Sequence, residues 1–180
     1  MKKAICVITM IFFSVAAIAQ RLEINNVATV NPANKLTKIS TDRTISVIHE
    51  KYKNSNDHVF KVLKDFHSQD TYLINDLVVA IHPVQLKQPL NVDYLIKQKA
   101  GMDALSKNVA GYNSYIETIN GRRFLITLLP APAGELWTYS YFTADKSRTK
   151  TIDGMMPFDA TDSAKAKATL YDLLKSLKFK

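Results

Sequence analysis

The stretch INGRRFLITLLPAPAGELWTYSYF, residues 119–142, decides the fold. Asn120–Gly121 is a strong two-residue hairpin signal, because both residue types accept the positive φ of a type I′ turn. Residues 112–119 and 122–129 flank it and read as the two arms. Phe124, Ile126 and Leu128 fall on one face of the second arm, and Leu125 and Leu129 on the other. A sheet that is apolar on both faces must be covered on both faces. Leu136 to Thr143 reads as the next strand, with Trp137, Tyr139 and Tyr141 on one side and Phe142 on the other.

The turn also sets a register. Ile119 stands opposite Arg122, Thr118 opposite Arg123, and Glu117 opposite Phe124. Successive side chains leave a strand on opposite faces, so Arg122 and Arg123 point apart. They cannot close together on one phosphate or carboxylate, as a joint clamp would require. Arg122 shares its face with Tyr115, Glu117 and Phe124, and Glu117 lies diagonal to it as an exposed ion-pair partner.

Working outward, RTISVIHEKY (43–52) alternates, which reads as a strand, and HVFKVLKDF (58–66) fits a short helix capped by Asn56 or Asp57. DLVVAIHPV (76–84) is a nearly continuous apolar strand, with Pro83 marking an edge or exit. Asn91 is placed to cap VDYLIKQKAGMDAL, where Val92, Leu95, Ile96 and Ala100 recur at helical spacing. Lys150 to Met155 reads as a further strand. Asp159, Thr161 or Asp162 then caps a closing helix whose Ala166, Leu170, Leu173, Leu174 and Leu177 form one stripe. This order predicts a single α+β domain, an α/β/α sandwich with a mostly antiparallel sheet flanked by helices.

The first residues, MKKAICVITMIFFSVAAIAQ, have the pattern of an export signal. Lys2 and Lys3 precede an apolar run, and Ala17 and Ala19 occupy the positions read by a signal peptidase. Cleavage before Gln20 is expected, giving a periplasmic or secreted protein with no transmembrane segment in the mature chain. The apolar run is short for a bilayer span. The expected organisation is a signal peptide at 1–19, a loosely attached polar lead-in at 20–40 and one globular domain at 41–180. Cleavage lowers the net charge from +8 to +6 and removes Cys6, the only cysteine. Disulfides, a thiol nucleophile and cysteine metal sites are thereby excluded from the mature chain. Export also argues against nucleic acid as a partner, and leaves another exported or envelope protein as the expected one.

The helix after VVAIHPV, the hairpin NGRRFLITLLP, the aromatic strand ELWTYSYF and the ending ATLYDLLKSLKF together resemble the PsbP-like fold family over residues 40–180. That family includes the extrinsic subunit of photosystem II, a nuclear Ran-binding protein and many exported bacterial proteins. The resemblance implies a non-catalytic binding or accessory role. It transfers no site residue, because no binding motif of the family matches position by position.

Little else points to chemistry. The five glycines are at least ten residues apart, whereas a phosphate-cradling loop needs several within one turn. His58 and His67 fall on opposite sides of a helix, and no His pair has the i,i+4 spacing of a helical zinc site. A composite site from His49 and His82 on adjacent strands is the remaining metal or hydrolytic arrangement. Asp159 and Asp162 are explained by helix capping. No catalytic residue, cofactor or metal is expected. The candidate binding residues are Trp137, Tyr139 and Tyr141, as a stacking row, with Trp137 also the wall of a small apolar ligand cavity between sheet and helix, together with His82. Non-catalytic binding of a protein partner is the leading expectation. An apolar-ligand carrier and an envelope-polymer hydrolase with a His/Asp/Glu site are the alternatives.

Overall fold

A computed structural model describes residues 21–51, 70–130 and 136–180. The expected export signal, the helix expected over 58–66, and His58 and His67 lie outside these residues. Ten strands and three α-helices are described: β1 Leu22–Ile24, β2 Ala28–Val30, β3 Thr37–Ile39, α1 Thr41–Lys51, β4 Asp70–Ile74, β5 Leu77–Gln85, α2 Tyr94–Ser106, β6 Asn113–Ile119, β7 Arg122–Leu129, β8 Trp137–Ala144, β9 Lys150–Phe158, α3 Ser163–Ser176 and β10 Lys178–Phe179. Seven strands form one sheet in the order β3-β4-β5-β9-β8-β7-β6, and a small second sheet runs β1-β2-β10. Every described pairing is antiparallel.

The hairpin register is the one expected, with Ile119, Thr118 and Glu117 opposite Arg122, Arg123 and Phe124. Asn120 and Gly121 both have positive φ, 48° and 73°. On one face of the large sheet Phe124, Ile126, Tyr139, Tyr141, Ile152 and Met156 meet Ala166, Leu170, Leu173 and Leu174 of α3. The small sheet adds Ile24, Ala28 and Val30 to that core. On the other face Ile48 of α1 packs with Val78 of β5 and with Leu136, while α2 lies over β6 and β7. Helices therefore flank the sheet on both sides, which is the sandwich that two apolar faces demand.

Four expectations need correction. Residues 43–51 form a helix, not a strand. Ser40 accepts a hydrogen bond from the Arg43 N–H at 3.2 Å, Asp42 sits in the first turn, and Thr44 and Ile48, four apart, are the buried residues. The apparent alternation was short enough to fit either period. The lead-in is not loosely attached: residues 22–39 supply three strands, and Ile24, Val27, Ala28, Val30 and Leu36 are buried. The stripe expected on α2 is also misplaced. Leu95 and Ser106 face inward, whereas Val92, Ile96 and Ala100 are exposed. Asn91 does not cap this helix. Its N-cap is Asp93, which makes no side-chain cap bond and instead pairs with Lys97 at 3.1 Å.

Candidate functional site

The hairpin tip at Asn120–Gly121 lies against the end of α3. The last carbonyls of a helix have no intrahelical partner, and two side chains from the tip supply donors there. Asn120 Nδ2 donates to the Lys175 carbonyl at 2.9 Å. Arg122 Nη1 donates to the Leu177 carbonyl at 2.6 Å, and its guanidinium stacks 4.9 Å over the Phe179 ring. Burial pulls the Arg122 pKa down from its usual value, while the Asp145 charge works the other way. A cation at a helix C-terminus is further favoured by the helix dipole. The diagonal Arg122–Glu117 pair does not form. Tyr171 of α3 donates its hydroxyl proton to the Glu117 carboxylate instead, and burial followed by that bond pushes the Tyr171 hydroxyl pKa upward.

Arg123 leaves the strand on the opposite face, as the register requires. The sheet ends here, and a cleft of about 490 Å³ opens between the β6–β7 turn, the β8–β9 turn and the start of α2. Tyr94, Arg122, Arg123, Lys146, Arg148 and Phe179 are among the residues lining it. Tyr94 is held by an edge-on contact with Phe142 at 5.7 Å, and its hydroxyl oxygen accepts the Ala144 N–H at 3.2 Å. Burial raises the Tyr94 pKa, and the neighbouring charges of Arg123 and Arg148 oppose that rise. Arg148, at φ 60°, is steered by its Nε–H bond to the Leu90 carbonyl at 2.7 Å. Asp145 organises the turn by accepting from the Ser147 hydroxyl at 2.5 Å and from the Thr149 and Lys150 N–H groups at 2.9 and 3.0 Å.

The residues singled out from sequence do not gather at this cleft. Tyr139 is buried and stacks on Phe158 at 5.0 Å, and Trp137 tilts against the same ring at 6.4 Å. Tyr141 is buried with its hydroxyl 3.5 Å from the Ala80 carbonyl, and desolvation drives its pKa upward. Tyr139 and Tyr141 belong to the core, and Trp137 packs against it half-buried. Trp137 lines neither the large cleft nor a smaller cavity of about 160 Å³ between α2 and the sheet. His82 Nδ1 lies 3.0 Å from Asp153 Oδ1 across β5 and β9. Burial raises the Asp153 pKa against the opposing pull of His82. His49 lies on α1 and not on a neighbouring strand, so the expected strand-to-strand histidine pair does not exist. Among the described residues no group of three or more His, Cys, Asp or Glu side chains is placed to hold a metal ion.

The outer face of α2 is a second unusual surface. Ile96, Ala100, Gly101, Ala104 and Leu105 are all exposed and span the half of the helix away from buried Leu95, with Ile96 and Leu105, nine residues apart, at its two edges and Lys97 between them. Lys99 reaches Asp103 at 2.5 Å, and Asp103 also accepts from the Tyr112 hydroxyl at 2.9 Å and from Ser114. These contacts anchor the helix to β6. Tyr94, Lys146 and Arg148 were not singled out by sequence reasoning. The only local signal for Lys146 and Arg148 is the ADKSRTK turn (144–150), which alternates cations with turn formers.

No protein-family model matches the chain, and no curated protein does. Among solved structures it is similar to the solution structure of cyanobacterial PsbP (CyanoP) from Synechocystis sp. PCC 6803. The superposition covers 92% of this chain and 96% of that one, with a TM-score of 0.48 and 11% sequence identity. Among the described residues no helix is long and apolar enough to cross a membrane.

Proposed function

We propose that the protein is a non-catalytic exported binding or accessory protein, and that it engages another exported or envelope protein through the outer face of α2. One observation carries this reading. The large exposed hydrophobics among the described residues are Val92 (76%), Ile96 (56%), Leu105 (84%) and Val109 (42%), all between residues 92 and 109. Single exposed apolar residues are ordinary. Their confinement to one helix and its flanks, around the small residues Ala100, Gly101 and Ala104, is the composition of an interaction face. Burying this face against a partner returns roughly 25 cal/mol per Å² of apolar surface.

The test is affinity purification of the mature protein from its native host after cross-linking, alongside an Ile96→Asp/Leu105→Asp variant. A partner cross-linked within residues 92–109, lost in the variant while its melting temperature is unchanged, supports the reading. A partner retained by the variant refutes it. Export is tested by intact mass: the secreted form begins at Gln20, and retention of residues 1–19 overturns the soluble exported assignment.

A further inference from the structure

We propose that the cleft at the end of the large sheet binds small organic phosphates, with Arg123 and Arg148 gripping the phosphate and Phe179 bordering the organic part. The argument starts from which charges there are already committed. Arg122 is bound to the Leu177 carbonyl and stacked on Phe179. Asp145, the one carboxylate among the lining residues, already accepts three hydrogen bonds from its own turn. Beyond the Thr143 hydroxyl bond to the Arg123 carbonyl, the side chains of Arg123 and Lys146 make no hydrogen bond or ion pair with any described residue, and Arg148 commits its Nε–H to Leu90. The terminal nitrogens of Arg148 therefore remain available in a fixed orientation. Tyr94 accepts the Ala144 N–H, which leaves its own proton free to donate.

Arg123, Lys146 and Arg148 carry more positive charge than one carboxylate neutralises. A phosphate monoester, carrying about −1.5 to −2 charges near neutral pH and three acceptor oxygens, matches them better. Planar guanidinium groups fit phosphate oxygens in pairs. A cleft of about 490 Å³ exceeds what a bare phosphate fills and falls within the roughly 300–1,000 Å³ typical of small-molecule sites. Gly121 leaves the mouth open, since a Cβ there would meet nothing within 4 Å. Arg122 and Arg123 still do not form a joint clamp: the partner of Arg123 is Arg148, from a different turn. The site uses other residues than the outer face of α2, so the two readings stand or fall separately.

The same phosphate chemistry is found on soluble esters and on lipid headgroups, and the experiment separates them. The mature protein is titrated at constant ionic strength with phenyl phosphate, with sodium chloride as control, while the amide resonances of Gly121, Ala144 and Arg148 are followed. It is also sedimented with phosphatidylcholine vesicles with and without phosphatidic acid. Saturable shifts with phenyl phosphate, weakened about tenfold or more in Arg123→Gln and in Lys146→Gln, support a soluble ligand. Sedimentation with phosphatidic acid alone, lost in the same folded variants, supports the same site acting on a headgroup. Shifts reproduced by chloride, absence of binding in both assays, or binding indifferent to both substitutions overturns the proposal.

Discussion

Gly154 of β9 sits directly opposite Tyr141 of β8, and a Cβ at position 154 would overlap both the Tyr141 hydroxyl and the Ala80 backbone carbonyl. The backbone oxygen cannot swing aside, so β9 depends on the missing side chain to pass between its neighbours. Gly154→Ala is expected to destabilise by about 3 kcal/mol, the upper part of the usual range for overpacking. Gly101→Ala, in open space on α2, is expected to stabilise by roughly 0.5–1 kcal/mol. Urea melts of the two variants side by side check both signs.

The hairpin tip makes unequal demands on its residues. Gly121 holds φ at 73°, which a β-branched side chain tolerates poorly, so Gly121→Val should cost roughly 1–3 kcal/mol. Arg122→Ala strips a charged donor from the Leu177 carbonyl and should cost about 1.5–3 kcal/mol. Arg123→Ala should cost well under 1 kcal/mol, because that side chain holds no described partner. Denaturant midpoints that rank Arg123 above Arg122 would contradict the capping role.

The closing helix is the main cover for one face of the sheet. Leu173 is completely buried in the core shared by Phe124, Ile126 and Ile152. Leu173→Ala should therefore cost about 2–5 kcal/mol. A loss below 1 kcal/mol in denaturant melts would mean that α3 is not docked as described.

Acid stability should carry the mark of Asp103. The Lys99 ammonium first, then the Ser114 and Tyr112 hydroxyls, hold its carboxyl at about 2, below the ordinary value of 3.8. A depressed folded-state pKa contributes stability that is fully present above the unfolded value and is lost as pH falls through the folded one. The difference in melting temperature between wild type and Asp103→Asn should therefore shrink from pH 5 to pH 2. A difference constant over that range would show that Asp103 is not held as a carboxylate.

The parts legible in sequence were those with a strong local pattern. Asn120–Gly121 with its flanking apolar arms yielded the register to the residue, and the stripe from Ala166 to Leu177 yielded α3. The strand reading of 43–51 failed because so short a window of Ile and Val fits two periods, while the deciding cap, Ser40, lay outside it. The first four strands were missed for a related reason. They are only three to five residues long, too short to show a period, and the turns at Asn25–Asn26 and Asn75–Asp76 that close β1–β2 and β4–β5 have positive φ values without the glycine that advertises such turns. The cleft was illegible altogether. Tyr94, Arg123, Arg148 and Phe179 come from separate segments, and only the folded sheet end brings them together. Similarly, nothing near Glu117 in sequence points to Tyr171.

Ala28 and Thr29 of β2 pair with Phe179 and Lys178 of β10, so one of the earliest described strands is completed by the very last. The loop between them encloses nearly the whole described fold, and closing it is entropically costly and slow. A chain held stretched while it is being threaded or synthesised keeps that seam open until residues 178–179 are free to pair with β2. The seam behaves like a zip whose slider sits at the far end. Removing residues 178 and 179 would leave β2 as a bare strand edge, the kind of template on which other chains stack.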